Sequence, residues 1–270
     1  MPQYKICVAR PHGTKLNCPE IGSWLGRWTA HLAMQRAPIG LEMLEVSNPR
    51  IAMMRNSLIE TAIKKECSHV LMFDPDMAID RYCNPPNRDP NAKPFWDVAW
   101  PFVLNHTTLL DQNQKPLGPC VAAAPYCGAP PHYPVHVFVG NQKNNLVRVD
   151  HKTAAQQRGW TQIRAVGTGL MLIDMAVFDK LDRPFFRDTF TDHTAQSLLH
   201  SQDVNFCLRC ETAGVPIYVN WDCWCGHWQM AVAEKPGWMP PKTEPDEIPV
   251  AAHPEVPKLQ IWGQGDKSWG

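Results

Sequence analysis

Apolar residues in this chain fall into short unbroken runs that alternate with stretches of helical spacing. Lys5-Ile6-Cys7-Val8-Ala9 is one such run, stopped by Arg10-Pro11-His12-Gly13, which is the pattern of a buried strand entering a loop. Across residues 18–33, Ile21, Leu25, Trp28 and Leu32 recur at spacings of three and four, which predicts a helix with one apolar face. Residues 41–46 alternate apolar and acidic side chains and predict a second strand. Residues 51–67 place Ile51, Met54, Leu58, Ile59, Ala62 and Ile63 on one helical face. His69-Val70-Leu71-Met72-Phe73 is then a continuous apolar strand, closed at once by Asp74-Pro75-Asp76.

Strand, helix, strand, helix, strand at the start of the chain predicts an α/β protein, with a mostly parallel sheet flanked by helices. Ligands of such sheets gather beyond the carboxyl ends of the strands. Arg10-Pro11 and Asp74-Pro75-Asp76 both fall at such ends. Residues 79–118, rich in Pro, Asn and Asp, predict loops and one short helix. A strand is expected at 120–126 (CVAAAPY), an extended turn over 130–134, and further strands at 135–139 and 163–173, the last enclosing Gly167-Thr168-Gly169. A short helix is expected at 175–181. Residues 201–214 predict a helix capped by Ser201 and stopped by Gly214, before a final strand at 216–220. Seven prolines between Pro236 and Pro257 exclude an independent folded unit there. The expected organisation is one domain over 1–228 and a proline-rich extension, 229–270, that packs along it or stays partly mobile.

Composition narrows the function classes. A chain of 270 residues can bury a sizeable core, and 26 basic side chains balance 26 acidic ones. That balance gives no electrostatic footprint for unmodified nucleic acid or an anionic membrane. The nearest approach to a membrane span, 165–178, is broken by Asp174, and no secretory pattern follows Met1. A cytoplasmic location is expected, in the host if the chain is phage-encoded. The ten cysteines then read as reduced thiols, with Cys7, Cys67 and Cys120 as small buried hydrophobes. Of the eleven tryptophans, Trp24 and Trp28 suit helix–sheet packing, and Trp96, Trp100, Trp221, Trp224 and Trp228 are candidates for lining a groove.

Three constellations carry candidate chemistry. Asp74 and Asp76, one residue apart at the mouth of a buried strand, can share a divalent cation; their hard oxygens suit Mg²⁺ or Mn²⁺ bridging a diphosphate. A plain polar turn accounts for the same tripeptide. Asp203 opens a helix, where the dipole alone favours an acid, and where it could also take a proton from an attacking hydroxyl. His227, in Cys225-Gly226-His227-Trp228, is either a structural residue or the imidazole that completes a metal's coordination.

In order along the chain, Arg55-Asn56, HVLMF-Asp74-Pro75-Asp76, CVAAAPY, AVGTGLMLID, SQDVNFC with AGVPIYV, and CGHW resemble a GT-A glycosyltransferase. The likeness is to the compact, family-2-like type of bacteria and phages, and covers roughly residues 4–228. It implies that Asp74 and Asp76 bind metal and sugar nucleotide, with Asp76 the more direct ligand, Asp74 nearer the ribose, and His227 completing the metal site. It implies Asp203 as the catalytic base. Arg10, Pro11, Arg55 and Asn56 would approach the nucleotide, and Gly167, Thr168 and Gly169 would lie under donor sugar and acceptor. Gln202 stands where family members often carry glutamate, which removes a charge near the acceptor. The implied activity moves a sugar from a nucleoside-diphosphate sugar, a UDP-sugar by default, to an acceptor hydroxyl with Mn²⁺ or Mg²⁺, inversion favoured. Acceptors of the family include carbohydrates, lipids and hydroxymethylated DNA bases.

Two other readings remain open on sequence. Cys207, Cys210, Cys223, Cys225 and His227 have the ligand types of a zinc site in a nucleic-acid or partner-binding module. A sugar nucleotidyltransferase would share the sheet, but it needs backbone amides of a glycine-rich loop around a triphosphate, and Arg10-Pro11-His12-Gly13 lacks the glycines.

Overall fold

The apolar run at the start of the chain becomes strand β1 (Tyr4–His12), and the amphipathic stretch after it becomes helix α1 (Glu20–Met34). Strand β2 (Ile39–Ser47), helix α2 (Ile51–Lys64) and strand β3 (His69–Phe73) follow as expected. The computed structural model describes residues 3–12, 18–48, 50–110, 114, 116–128, 132–140, 145–190, 198–228 and 261–262. The proline-rich stretch from Pro236 to Pro257, Pro130, Pro131 and Gly13 lie outside them.

After β3 come the two-residue strand β4 (Met77–Ala78), helix α3 (Phe95–His106), strands β5 (Val121–Ala123), β6 (Val137–Gly140) and β7 (Leu146–Arg148), and helix α4 (His151–Gln156). Strands β8 (Trp160–Ile163), β9 (Ala165–Val166), β10 (Leu170–Asp174), β11 (Thr189–Phe190) and β12 (Leu198–His200) lead to helix α5 (Gln202–Thr212). Strands β13 (Ile217–Asn220), β14 (Gly226–His227) and β15 (Ile261–Trp262) complete the described elements.

The central sheet has eight strands in the order β15-β8-β13-β5-β10-β3-β1-β2. Strand β1 is parallel to β2 and β3, and β5 is parallel to β13. Strand β10 enters antiparallel between β3 and β5, so those two point the same way. Strand β8 is antiparallel to β13, and β15 to β8. Only β10 and β8 therefore run against the rest. The carboxyl ends of β1, β3, β5 and β13 share one edge, which is where the site lies.

Period-two alternation sends neighbouring residues of each strand to opposite faces. Val70 and Met72 of β3 join Leu58, Ile59 and Ala62 of α2 and Phe206, Cys207 and Cys210 of α5 in one buried cluster. Leu71 and Phe73 join Ile21, Trp24, Trp28 and Leu32 of α1 and Phe95, Trp96, Ala99 and Val103 of α3 in the other. The result is three layers, helices on both faces of a mixed sheet. No helix among the described residues is long and apolar enough to cross a membrane.

The short helix expected among the loops of 79–118 is the twelve-residue α3, whose apolar face tolerates Pro101 within it. One expectation changes. The expected strand 163–173 is broken at Gly167-Thr168-Gly169: β9 pairs with β6, whereas β10 pairs with β3 and β5. Gly214, at φ +70°, ends α5 as a left-handed stop.

Candidate functional site

Beyond β3 the chain turns tightly. The Asp74 amide donates to the Gly169 carbonyl at 3.0 Å, and the Met77 amide to the Asp74 carbonyl at 3.2 Å. Strand β4 then pairs antiparallel with β14, setting His227 opposite Met77 and Gly226 opposite Ala78. The Trp228 amide donates to the Asp76 carbonyl at 2.8 Å, which locks the two segments together. Gly226 allows this close approach: a Cβ would sit 2.6 Å from Cδ of Arg81 and 3.2 Å from Cβ of Ala78.

This pairing brings together side chains 151 residues apart: His227 Nε2 lies 3.2 Å from Asp76 Oδ2. On the other side of the ring, Nδ1 lies 3.0 Å from the Cys127 carbonyl and donates to it. That bond fixes the tautomer and aims Nε2 at the carboxylate, the arrangement that orients histidines for cations. Burial works against a charged ring. The hydrogen bond and charge of Asp76, helped by the Cys127 carbonyl and Asp74, outweigh it and raise the His227 pKa above 6.5.

Asp74 goes elsewhere. Its Oδ1 accepts from Nη2 of Arg55 at 2.5 Å, and Arg55 is almost fully buried on α2. Burial raises the Asp74 pKa; the Arg55 guanidinium opposes the shift, and the charges of Asp76 and Asp203 add to it. Among the described residues, no cluster of three or more His, Cys, Asp and Glu side chains is arranged to hold a metal ion. Of Asp74, Asp76 and His227, the structure sets Asp76 and His227 side by side and ties Oδ1 of Asp74 to Arg55. The pair fits a divalent cation. Adjacent ligands of an octahedral Mg²⁺-type ion, each about 2.1 Å away, are about 3 Å apart, and such ions take most of their other ligands from phosphate and water.

Asp203 lies in the first turn of α5. Its Oδ1 accepts from the Ser201 hydroxyl and from the Val204 amide at 2.9 Å. Ser201 occupies the N-cap position, yet its side chain caps no backbone amide. The charge of Asp203 is felt at Asp74, Tyr126 and His136, which groups them around one centre. Tyr126, four residues beyond β5's first alanine, stacks on His136 at 4.8 Å and meets His227 edge-on at 5.3 Å.

Several expected contacts are reassigned. A Cβ on Gly167 would fall 2.0 Å from the Tyr126 hydroxyl, and one on Gly169 2.6 Å from its ring. These glycines make room for Tyr126. Asn56 clamps the backbone of Phe186, donating to its carbonyl at 2.7 Å and accepting from its amide at 3.0 Å; its second donation goes to Ala52. Arg10 pairs with Glu45 from the neighbouring strand, and Pro11 is buried. Trp96 and Trp100 stack on each other at 5.0 Å within the core, whereas Trp221 and Trp224 do line a cavity.

Among the described residues seven buried side-chain polar atoms have no hydrogen-bond partner; apart from Trp28 Nε1 on α1 they are Arg10 Nε, His12 Nδ1, Arg55 Nε, Thr168 Oγ1, Gln202 Oε1 and Asn205 Oδ1, on segments that meet this edge. Buried polar groups are nearly always satisfied by protein, water or ligand, so this concentration marks a polar binding surface. Tyr126 and His136 are not among the site residues that the sequence suggests. Tyr126 had a signal, its place just past the carboxyl end of a buried strand.

The zinc arrangement fails on geometry. Cys207 and Cys210 belong to the core on one face of the sheet, and Cys223 and Cys225 to the core on the other. Burial pushes all four thiols up, Cys210 to about 12, so none is poised as a thiolate. All ten cysteines are free.

No family model and no curated protein matches the sequence. The structure is similar to that of A197 from STIV, at 14% identity over 84% of this chain and 87% of that one, with a TM-score of 0.48. It is also similar to GalNAc-T7 with UDP, GalNAc and Mn²⁺, at 9% identity over 83% of this chain and 44% of that one, with a TM-score of 0.43. Likenesses this distant carry no weight for function, which rests on the chain's own site.

Proposed function

We propose that this chain is a metal-dependent glycosyltransferase of GT-A type that moves a sugar from a nucleoside-diphosphate sugar, a UDP-sugar by default, to an acceptor hydroxyl with inversion. The observation that carries the reading is the Asp76–His227 pair, 3.2 Å apart and set by a dedicated two-residue strand pairing at the ligand-binding edge of the sheet. Asp76 and His227 would hold Mn²⁺ or Mg²⁺, which supplies positive charge against a departing diphosphate. Arg55, buried and fixed by Asp74, sets a guanidinium beside the same edge, with its Nε still unpartnered. Thr168 and Gln202 offer buried oxygen atoms for sugar hydroxyls. Asp203, steadied at Oδ1 by Ser201, takes the proton of the attacking hydroxyl.

Titration of the full chain with Mn²⁺ and a panel of nucleotide sugars, followed by donor hydrolysis, tests this. Binding of one nucleotide that needs Mn²⁺ and weakens about tenfold or more in Asp76→Ala is expected. Nucleotide binding indifferent to Mn²⁺ and to Asp76→Ala contradicts it.

A further inference from the structure

The central sheet ends at β2. This strand is nine residues long and pairs with β1 on its inner side without a register break; among the described residues no strand pairs with its outer side. Two bonds fix which way its backbone groups point. The Tyr4 amide donates to the Pro38 carbonyl at 3.1 Å, and the Ser68 amide to the Lys5 carbonyl at 2.7 Å. Even-numbered residues of β1 therefore face β2, and odd-numbered ones face β3. In a parallel ladder of this register Gly40, Glu42, Leu44 and Val46 direct their backbone groups to β1. Leu41, Met43 and Glu45 turn theirs outward.

Open edges are normally blunted by proline, a bulge, a lysine or a covering segment. Residues 39–47 contain no proline and no lysine, and their ladder carries no bulge. Both charges of the strand are neutralised within the chain: Glu42 pairs with Lys5 at 3.3 Å and with Lys65 at 3.0 Å, and Glu45 pairs with Arg10. Met43, midway along, is half exposed. A charged peptide finds no free counter-charge here, and a lipid surface cannot answer a row of amides and carbonyls. A second β2 can, and few registers suit it. Outward groups pair only odd residue with odd residue. Two-fold antiparallel registers centred on Glu42 or Glu45 set glutamate against glutamate, which repels. One centred on Leu44 leaves Ile39 and Gly40 unpaired. The register centred on Met43 pairs the whole strand: Met43 lies opposite the partner's Met43, Leu41 opposite the partner's Glu45, and Glu42 opposite the partner's Leu44.

We infer that two copies of this chain join antiparallel through β2, centred on Met43, into one continuous sheet. The interface is isologous, the same strand serving both copies. Because β2 runs parallel to β1 and β3, the two-fold turns the two ligand-binding edges in opposite directions. Strand β1 stands between β2 and β3, so the contact lies apart from Asp76 and His227 and does not rest on the transferase reading.

Sedimentation equilibrium of the full chain over a dilution series tests this, with circular dichroism to check folding. A species of twice the chain's 30.6 kDa is expected. Met43→Pro removes an amide that faces away from β1, so the β1 ladder stays whole while the centre of the contact loses its donors. The dimer is expected to weaken about tenfold or more. Met43→Lys leaves the backbone intact and sets like charges opposite each other at the two-fold; a similar loss is expected, and this variant decides should the proline variant fail to fold. Leu198→Lys, at a comparably exposed leucine on β12, is expected to leave the dimer unchanged. A monomer at every concentration, a dimer that persists in the folded Met43 variants, or one that Leu198→Lys dissolves equally overturns the inference.

Discussion

Asp203 is oriented by its own neighbours, the Ser201 hydroxyl and the Val204 amide both donating to Oδ1. Asp203→Asn keeps size and hydrogen bonding but removes the proposed base. Turnover is expected to fall by about 10²–10⁴-fold while Mn²⁺-dependent nucleotide binding stays near wild type; single-turnover sugar transfer beside nucleotide titration measures both. Retained turnover takes Asp203 out of the role. At this scale the sequence was legible where chemistry is local: Asp74, Asp76, Asp203 and His227 all reach the same edge. It was not legible where a neighbour decides. Arg55 takes Oδ1 of Asp74, and Tyr126 fills the space over Gly167 and Gly169. Both are long-range contacts that no spacing along the chain reports.

Among elements, the shortest do most to build the site. Strands β4 and β14 have two residues each, too few for any periodic signal, yet their pairing alone sets His227 beside Asp76. Gly226→Ala drives a methyl group against Arg81 and Ala78. A cost of about 1–3 kcal/mol is expected, with weaker Mn²⁺-dependent nucleotide binding, because Arg81 and Ala78 must give way to admit it. Thermal melting and Mn²⁺ titration check the two effects; an unchanged titration would mean that β14 does not position the imidazole. Longer elements were legible because burial repeats along them, as in β3 and α2. For helix α3 a short helix was legible but not its bounds, because Pro101 reads as a breaker although the apolar positions Phe95, Trp96, Ala99 and Val103 keep helical spacing.

For the molecule as a whole, buried imidazoles tie stability to pH. Burial lowers the pKa of His69, with Asp174 opposing, and of His106, with the Gly118 carbonyl and Asp174 opposing. In neutral form His106 donates from Nδ1 to that carbonyl at 2.8 Å and accepts at Nε2 from the Tyr218 hydroxyl at 3.2 Å. A depressed histidine pKa means that the unfolded chain binds the proton first. Its contribution is complete above about pH 6.5 and is lost as pH falls below that value. His227, raised, acts with the opposite sign, so a variant comparison is needed. Melting temperature should fall more steeply from about pH 7 to pH 5 in the wild type than in His69→Asn/His106→Asn. Parallel slopes would refute the attribution.

The span between Asp76 and His227 has a temporal meaning during synthesis. By the time residue 220 is in place, β1, β2, β3, β5, β8, β10 and β13 are all available to pair, so most of the central sheet is made before the imidazole. The contact between Asp76 and His227 would arrive late, and a product stopped between β13 and β14 would leave the carboxylate without that partner.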